Sequence, residues 1–300
     1  MTAQKGSIAW IGIGKMGLPI AGRIAGAGYS VTAFDASTER LAMARQSGLS
    51  PAGSATEAVS GQSVVFTSLP DDAALRAALL SPQGLLHAMS PGSVLIETST
   101  VSAEISAELA EAARAQGVDY LRAPVSGNAS IAHTGALTCF VSGPKAAFER
   151  VKPVLASFTR AQTYLGEAEQ ARFAKLAVNL MIAVSAGMMA ESLALARKGG
   201  IGWRDILQVL DDSAVASPMV KYKTPPLATR NFESTFSCRQ MAKDLDLILG
   251  AAHAVSVPLQ LAAQVRETYG SLIAQGDGQT DFIATVPHLE RLSGLGEPEL

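Results

Sequence analysis

The sequence predicts an α/β protein: an N-terminal, doubly wound parallel sheet, then an all-helical C-terminal domain, joined by a long interdomain helix. Three observations predict it. The chain opens with a glycine-punctuated strand, helix and strand in SIAWIGIGKMGLPIAGRIAGAGYSVTAFD. Apolar strands rich in Val, Ile and Leu, without clean alternation, then recur between helical stretches, as strands buried on both faces of a parallel sheet do. Finally, EAEQARFAKLAVNLMIAVSAGMMAESLALARKGG reads as one helix from Glu167 to Gly200, opened by acidic residues and closed by Arg197, Lys198 and two glycines. The expected domains are residues 1–165 and 166–300, with the linking helix at about 167–198.

In chain order, an apolar strand from Ser7 to Ile13 runs into Gly12, Gly14 and Gly17, and a small-residue helix follows. Gly12 suits the tight turn, Gly14 lets a pyrophosphate approach the backbone, and Gly17 lets the helix pack closely on the strand. The loop Gly12, Ile13, Gly14, Lys15, Met16 and Gly17 is therefore expected to hold a dinucleotide, making the N-terminal domain Rossmann-type. The second strand ends at Asp35, where a carboxylate accepts hydrogen bonds from the adenosine ribose. Asp35 would repel a 2'-phosphate and Ala36 offers no guanidinium, so NAD is favoured over NADP, although Arg40 lies one turn further on.

Further strands are expected at 63–70, 93–100, 118–125 and 136–143, with helices such as DDAALRAALL and SAEISAELAEAARAQG between them. Ligands of such sheets bind outside the carboxyl ends of the strands, here at Leu69 and Pro70, Ser99 and Thr100, and Ser126 and Gly127. In RAPVSGNASIAHTGALT, the turn at Ser126, Gly127 and Asn128 is rich in donors and suits a substrate carboxylate.

The long helix is apolar nearly all round, so it must be buried on most sides, between domains and against another subunit. Lys175 and Asn179 are four apart and share one face. They are either a snorkelling lysine with a helix-internal asparagine or a functional pair. Beyond the helix, GWRDILQVLDDS, CRQMAKDLDLILGAAHAVSV, PLQLAAQVRETYGSLIAQG and DFIATVPHLERLSG read as helices. KYKTPPLATRNFESTF reads as a loop-rich interruption whose Tyr222, Lys223 and Phe232 are either ordinary surface residues, the favoured reading, or reach substrate from the loop, and a polar tail from Gly294 is expected to be disordered.

Composition narrows the partner. With 300 residues, 48% apolar, 17% charged and a net charge of -2, no basic surface argues for nucleic acid or an anionic membrane, which leaves a small molecule. Cys139 and Cys238 lack CxxC spacing and the four histidines lack metal-ligand spacing, so no metal and a reducing cytoplasm are expected. MTAQKGSIAW passes from a short polar leader into a strand, with no signal peptide, and no uninterrupted apolar run reaches membrane-spanning length. The apolar helix implies a homodimer or homotetramer.

Four motifs in order (IGIGKMG, APVSGN with downstream GALT, Lys175 with Asn179, and MAKDLDL around Lys243) resemble the β-hydroxyacid dehydrogenases, which include 3-hydroxyisobutyrate dehydrogenase and tartronate semialdehyde reductase. The resemblance spans almost the whole chain. It implies that Lys175 is the catalytic acid/base, Asn179 holds substrate, Lys243 lies near the nicotinamide and Thr100 contacts cofactor or substrate. It also implies NAD-linked interconversion of a small 3-hydroxy acid with its semialdehyde or keto acid. A lysine in that role needs its pKa brought from about 10.4 toward roughly 7 to 8. This chain departs from the family pattern at Arg122 (usually Asp), at Asn128 (usually Gly), and at Glu169 and Ala171 in a usually glycine-rich approach to the lysine. The alternatives are an imine reductase, which typically replaces the lysine, a 6-phosphogluconate-type enzyme, which needs a basic cluster, and a non-catalytic NAD-binding scaffold.

Overall fold

The computed structural model of the chain describes residues 5–299. The start of the polar leader, residues 1–4, and Leu300 lie outside the described residues. The chain divides into two compact units, one up to Lys175 and one from Leu176 onward, so the division falls inside the long helix.

The first unit is built on strands β1 (Ser7–Ile11), β2 (Ser30–Phe34), β3 (Ser50–Pro51), β4 (Val64–Thr67), β5 (Val94–Glu97) and β6 (Asp119–Arg122). They form one all-parallel sheet in the order β3-β2-β1-β4-β5-β6. Helices α1 (Gly17–Gly26), α2 (Thr38–Gln46), α3 (Ala55–Val59), α4 (Asp72–Leu79) and α5 (Ala103–Ala115) connect them. Two apolar clusters, one around Trp10, Phe66 and Phe158 and one around Val65, Leu95 and Leu109, account for the unalternating strands. Ser37, Ser54, Asp71 and Ser102 each accept an amide three residues on, which starts α2, α3, α4 and α5 at those positions. Strand order reverses between β1 and β4, which opens a crevice at their carboxyl ends.

The expected strand at 118–125 is two strands. Ala123 and Pro124 separate β6 from β7 (Val125–Ser126), which pairs antiparallel with β8 (Leu137–Val141), and β8 pairs parallel with β9 (Thr159–Tyr164). Neither β9 nor the two-residue β3 has an apolar signature. In TRAQTY only Thr159 is buried, because the strand lies at the edge of its small sheet. Helices α6 (Ala129–Thr134) and α7 (Lys145–Leu155) complete this part, with α6 packed on α1.

The long helix α8 runs Gln170–Lys198, three residues shorter at its start than expected, because Ala168 and Glu169 are held by other contacts described below. By length and composition alone α8 is long and apolar enough to cross a bilayer, a property that a buried core helix shares, and Lys175, Asn179 and Ser185 interrupt its apolar run. From Leu176 on it forms the core of the second unit with α9 (Trp203–Asp212), α10 (Pro218–Ala228), α11 (Cys238–Ala254), α12 (Gln260–Ala274) and α13 (Thr285–Leu292).

Helix α10 overturns the loop expected at KYKTPPLATRNFESTF. Ser217 caps it, Pro218 occupies its first turn, and Pro225 and Pro226 fall in its last turn, ending the helix without preventing it. Lys223 is not a surface residue: it is 2% exposed and its Nζ lies 2.6 Å from Asp281 Oδ1 and 3.2 Å from Thr235 Oγ1. Burial lowers its pKa, opposed by the bond to Asp281. Residues 295–299 have no regular structure, yet Arg197 donates to the Gly296 carbonyl at 2.8 Å while also pairing with Glu290.

Candidate active site

The glycine loop is shaped by contacts only glycine allows. Gly12 has φ +96°, and a Cβ there would lie 2.2 Å from the Ser68 carbonyl oxygen and 3.3 Å from Leu69 Cδ2. The loop after β1 therefore abuts the loop after β4, so Gly12 and Leu69 share the crevice. At Gly17 a Cβ would lie 2.0 Å from the Gly12 carbonyl oxygen, which itself accepts from Trp10 Nε1 at 2.9 Å. Gly14 differs: a Cβ there would meet nothing within 4 Å, so the backbone is open to a ligand at that point. Lys15 is exposed and Met16 half-buried at the start of α1.

Asp35, 8% exposed, closes this corner. Its Oδ2 accepts the Ile13 amide at 2.8 Å and its Oδ1 the Ser37 amide at 2.9 Å, while Arg40 Nη1 lies 3.4 Å from Oδ2. Asp35 thus ties the glycine loop to the end of β2 and sits within reach of a mostly exposed guanidinium.

The other strand-end loops converge through hydrogen bonds. Ser99 Oγ accepts the Leu69 amide at 2.7 Å, and Thr98 Oγ1 donates to the Thr67 carbonyl at 2.7 Å, which joins the loop bearing Pro70 to the one bearing Thr100. In the serine turn, Ser126 belongs to β7, Gly127 has φ +132° with Leu137 and Ile131 against it, and Asn128 caps α6 by accepting the Ile131 amide at 3.0 Å. The side-chain oxygen of Asn128 is therefore occupied by a cap, a use the sequence reading did not assign to it.

Lys175 is half-buried in the second turn of α8. The first turn is held at three points. Ser142 Oγ donates to the Ala168 carbonyl at 2.6 Å and accepts the Ala171 amide at 3.2 Å. Arg122 pairs with Glu169 and lies over the Tyr120 ring, 4.6 Å from its centroid. Arg172, 1% exposed, pairs with Glu97, 0% exposed. The same guanidinium donates to the Ser99 carbonyl at 2.8 Å, the Tyr120 hydroxyl at 2.9 Å and Ser106 Oγ at 3.2 Å. Burial works against its charge, but Tyr120 and Glu97 outweigh it, and the Arg172 pKa is raised. Two of the charges that depart from the family pattern, Arg122 and Glu169, thus neutralise each other inside the protein.

In the second unit, Asn179 is buried and its Nδ2 donates to Asp244 Oδ2 at 2.6 Å. Lys243 Nζ lies 2.7 Å from Asp244 Oδ1. Asp244 was missed by sequence reasoning, although a signal existed: in MAKDLDL it is in register with the buried Met241, Leu245 and Ile248 of α11, a face where a carboxylate needs a partner. Arg172, Glu97 and Ser142 were missed because they meet only through long-range packing.

Residues 7–166 match the profile described as the NAD binding domain of 6-phosphogluconate dehydrogenase, and residues 170–289 that described as NAD-binding of NADP-dependent 3-hydroxyisobutyrate dehydrogenase. The 3-hydroxyisobutyrate dehydrogenase of Pseudomonas aeruginosa is 32% identical over 281 residues, covering 91% of this chain and 93% of that protein. The NAD-dependent L-serine dehydrogenase of the same organism is 31% identical over 282 residues, covering 92% and 95%. Among solved structures, 3-hydroxyisobutyrate dehydrogenase from Salmonella typhimurium matches with a TM-score of 0.87 at 28% identity, covering 95% of this chain and 100% of that one.

Proposed function

We propose that this chain, which belongs to the β-hydroxyacid dehydrogenase family, reversibly oxidises a small 3-hydroxy acid to its semialdehyde or keto acid, with NAD favoured over NADP. The observation that carries this reading is that Lys175 lies in the second turn of a helix whose first turn is fixed to the strand-end loops beside the open glycine loop. The loop fits a dinucleotide: the space beside Gly14 is open, and Asp35 already orders the Ile13 amide.

Bound nicotinamide supplies the hydride acceptor. The protein's residues do the rest. Gly12, Ile13, Gly14, Lys15, Met16 and Gly17 with Asp35 hold the dinucleotide, and Leu69, Pro70 and Thr100 border it. Ser126, Gly127 and Asn128 hold the substrate carboxylate, with Asn128 offering its Nδ2 because its oxygen caps α6. Lys175 takes the hydroxyl proton during oxidation and returns it during reduction. Asn179, fixed by Asp244, holds substrate, and Lys243 keeps its proposed role near the cofactor. Arg122 is engaged by Glu169 rather than offered to a ligand, which disfavours both a phosphorylated sugar acid and a substrate chosen by Arg122.

The test is initial-rate NADH or NADPH formation with 3-hydroxyisobutyrate, L-serine, 3-hydroxypropionate and glycerate. Turnover is expected with at least one of them, faster with NAD. Lys175→Met is expected to bind NAD with little change and to lose turnover by about 1,000-fold or more. Retention of over about a tenth of wild-type turnover rejects Lys175 as the acid/base. The proposed assembly is a homodimer or homotetramer in the cytoplasm.

A further inference from the structure

Arg172 uses its guanidinium in three directions at once. One Nη bonds the carbonyl of Ser99, beside Thr100, the other meets Glu97 and the Tyr120 hydroxyl, and Nε meets Ser106. Glu97 closes the network by accepting the Ser99 amide at 2.6 Å, and Ser99 Oγ in turn holds the Leu69 amide. One buried ion pair therefore fixes the first turn of α8 to both strand-end loops that border the proposed cofactor site. Lys175 follows Arg172 by three residues, so the two side chains leave neighbouring points of one helix face, about 4.5 Å apart along the axis.

A buried ion pair is a poor source of stability, since desolvating both charges offsets most of their attraction. Well-packed apolar residues would hold the helix to the sheet as firmly. They would not fix its rotation and height, because apolar contacts are non-directional, whereas a planar fork meeting several acceptors is directional. The neighbouring Ser142 and Arg122–Glu169 contacts pin the helix start but do not reach the loops at Leu69 and Ser99.

We propose that Arg172 and Glu97 are positioning residues that set the place of the Lys175 amine relative to the strand-end loops, an inference that rests on Lys175 being the acid/base. Neither touches the reacting atoms. The variant to make is Glu97→Gln/Arg172→Met, which removes both charges at similar volume and so leaves no unpaired buried ion. Arg172→Lys keeps the charge without the fork.

Each is assayed with 3-hydroxyisobutyrate and L-serine on NAD and NADP. In parallel, the purified proteins are trace-labelled with acetic anhydride, and acetylation of Lys175 is followed by mass spectrometry against the exposed Lys152, a readout that needs no substrate. The expected result is a folded double variant whose kcat falls by about 100-fold, the loss that follows a misplacement of about 1 Å. Its KM is expected to stay within about threefold. Labelling of Lys175 relative to Lys152 is expected to rise by about threefold or more as the amine loses its fixed seat. Arg172→Lys should show the same split at about a tenth of the size, and it carries the test by itself if the double variant does not fold.

Wild-type kcat and wild-type Lys175 labelling in a folded variant overturn the proposal. So does an unchanged labelling ratio with KM and kcat altered together. Lys175→Met separates the two readings. If it is inactive while the double variant is fully active, only the positioning role fails. If Lys175→Met stays active, the acid/base reading fails whatever the labelling shows.

Discussion

At Asp35 two demands meet on one carboxylate. It orders the glycine loop by accepting the Ile13 amide, and in the proposed complex it also meets the adenosine ribose. Arg40, 3.4 Å away and largely exposed, is the nearby cation that a 2'-phosphate would find. Asp35→Asn keeps an acceptor for Ile13 while removing the charge that repels a phosphate. The ratio of kcat/KM for NAD over NADP is expected to fall by about tenfold, equivalent to about 1.4 kcal/mol, and the melting temperature to drop by a few degrees because the amide nitrogen cannot accept the Ser37 N–H. An unchanged ratio would place cofactor choice elsewhere. The motif was legible at this scale because GxGxxG and a strand-terminal Asp are local chemistry. The Asn179–Asp244 bond was not, since its partners lie 65 residues apart.

At the scale of the element, α1 and the strand it follows are held apart by nothing larger than hydrogen at Gly17. Gly17→Ala would place a methyl 2.0 Å from a backbone oxygen that cannot yield without moving the loop. It is expected to cost about 1–3 kcal/mol in thermal melts and to weaken cofactor binding with it. Gly14→Ala makes a contrasting case: with nothing within 4 Å, the fold should melt as wild type while dinucleotide affinity, measured by calorimetry, falls by at least about tenfold. Equal melting losses in both would contradict the division of roles between the two glycines. Elements failed to show in the sequence where local pattern and tertiary environment disagreed. β9 is a polar edge strand, and α10 hid behind two prolines that sit in its last turn, with Lys223 pinned by Asp281.

At the scale of the molecule, the second unit exposes a stripe on α8. Met181, Met188 and Leu195 are 72%, 56% and 76% exposed and lie seven residues apart, so they fall along one face. Met181 and Met188 line a groove of about 650 Å³ together with Leu180, Val184, Pro258 and Leu261. An apolar face of this kind is what the proposed homo-oligomer would bury. Sedimentation is expected to show a dimer or tetramer at micromolar concentration, and Met188→Glu/Leu195→Glu is expected to shift it to monomer with its helical circular dichroism intact. A wild-type monomer would overturn the proposed assembly. Periodicity and glycine spacing by themselves determined the doubly wound sheet, the helical second half, the dinucleotide loop and the Lys175–Asn179 face, because each is written in residues within a few turns of one another. Only the tertiary structure decided what the charged departures do. Arg122 and Glu169 stand in sequence only as departures from the family pattern, and Arg172 and Glu97 carry no local signal; folding turns all four inward as pairs because a buried charge is tolerated only against its opposite.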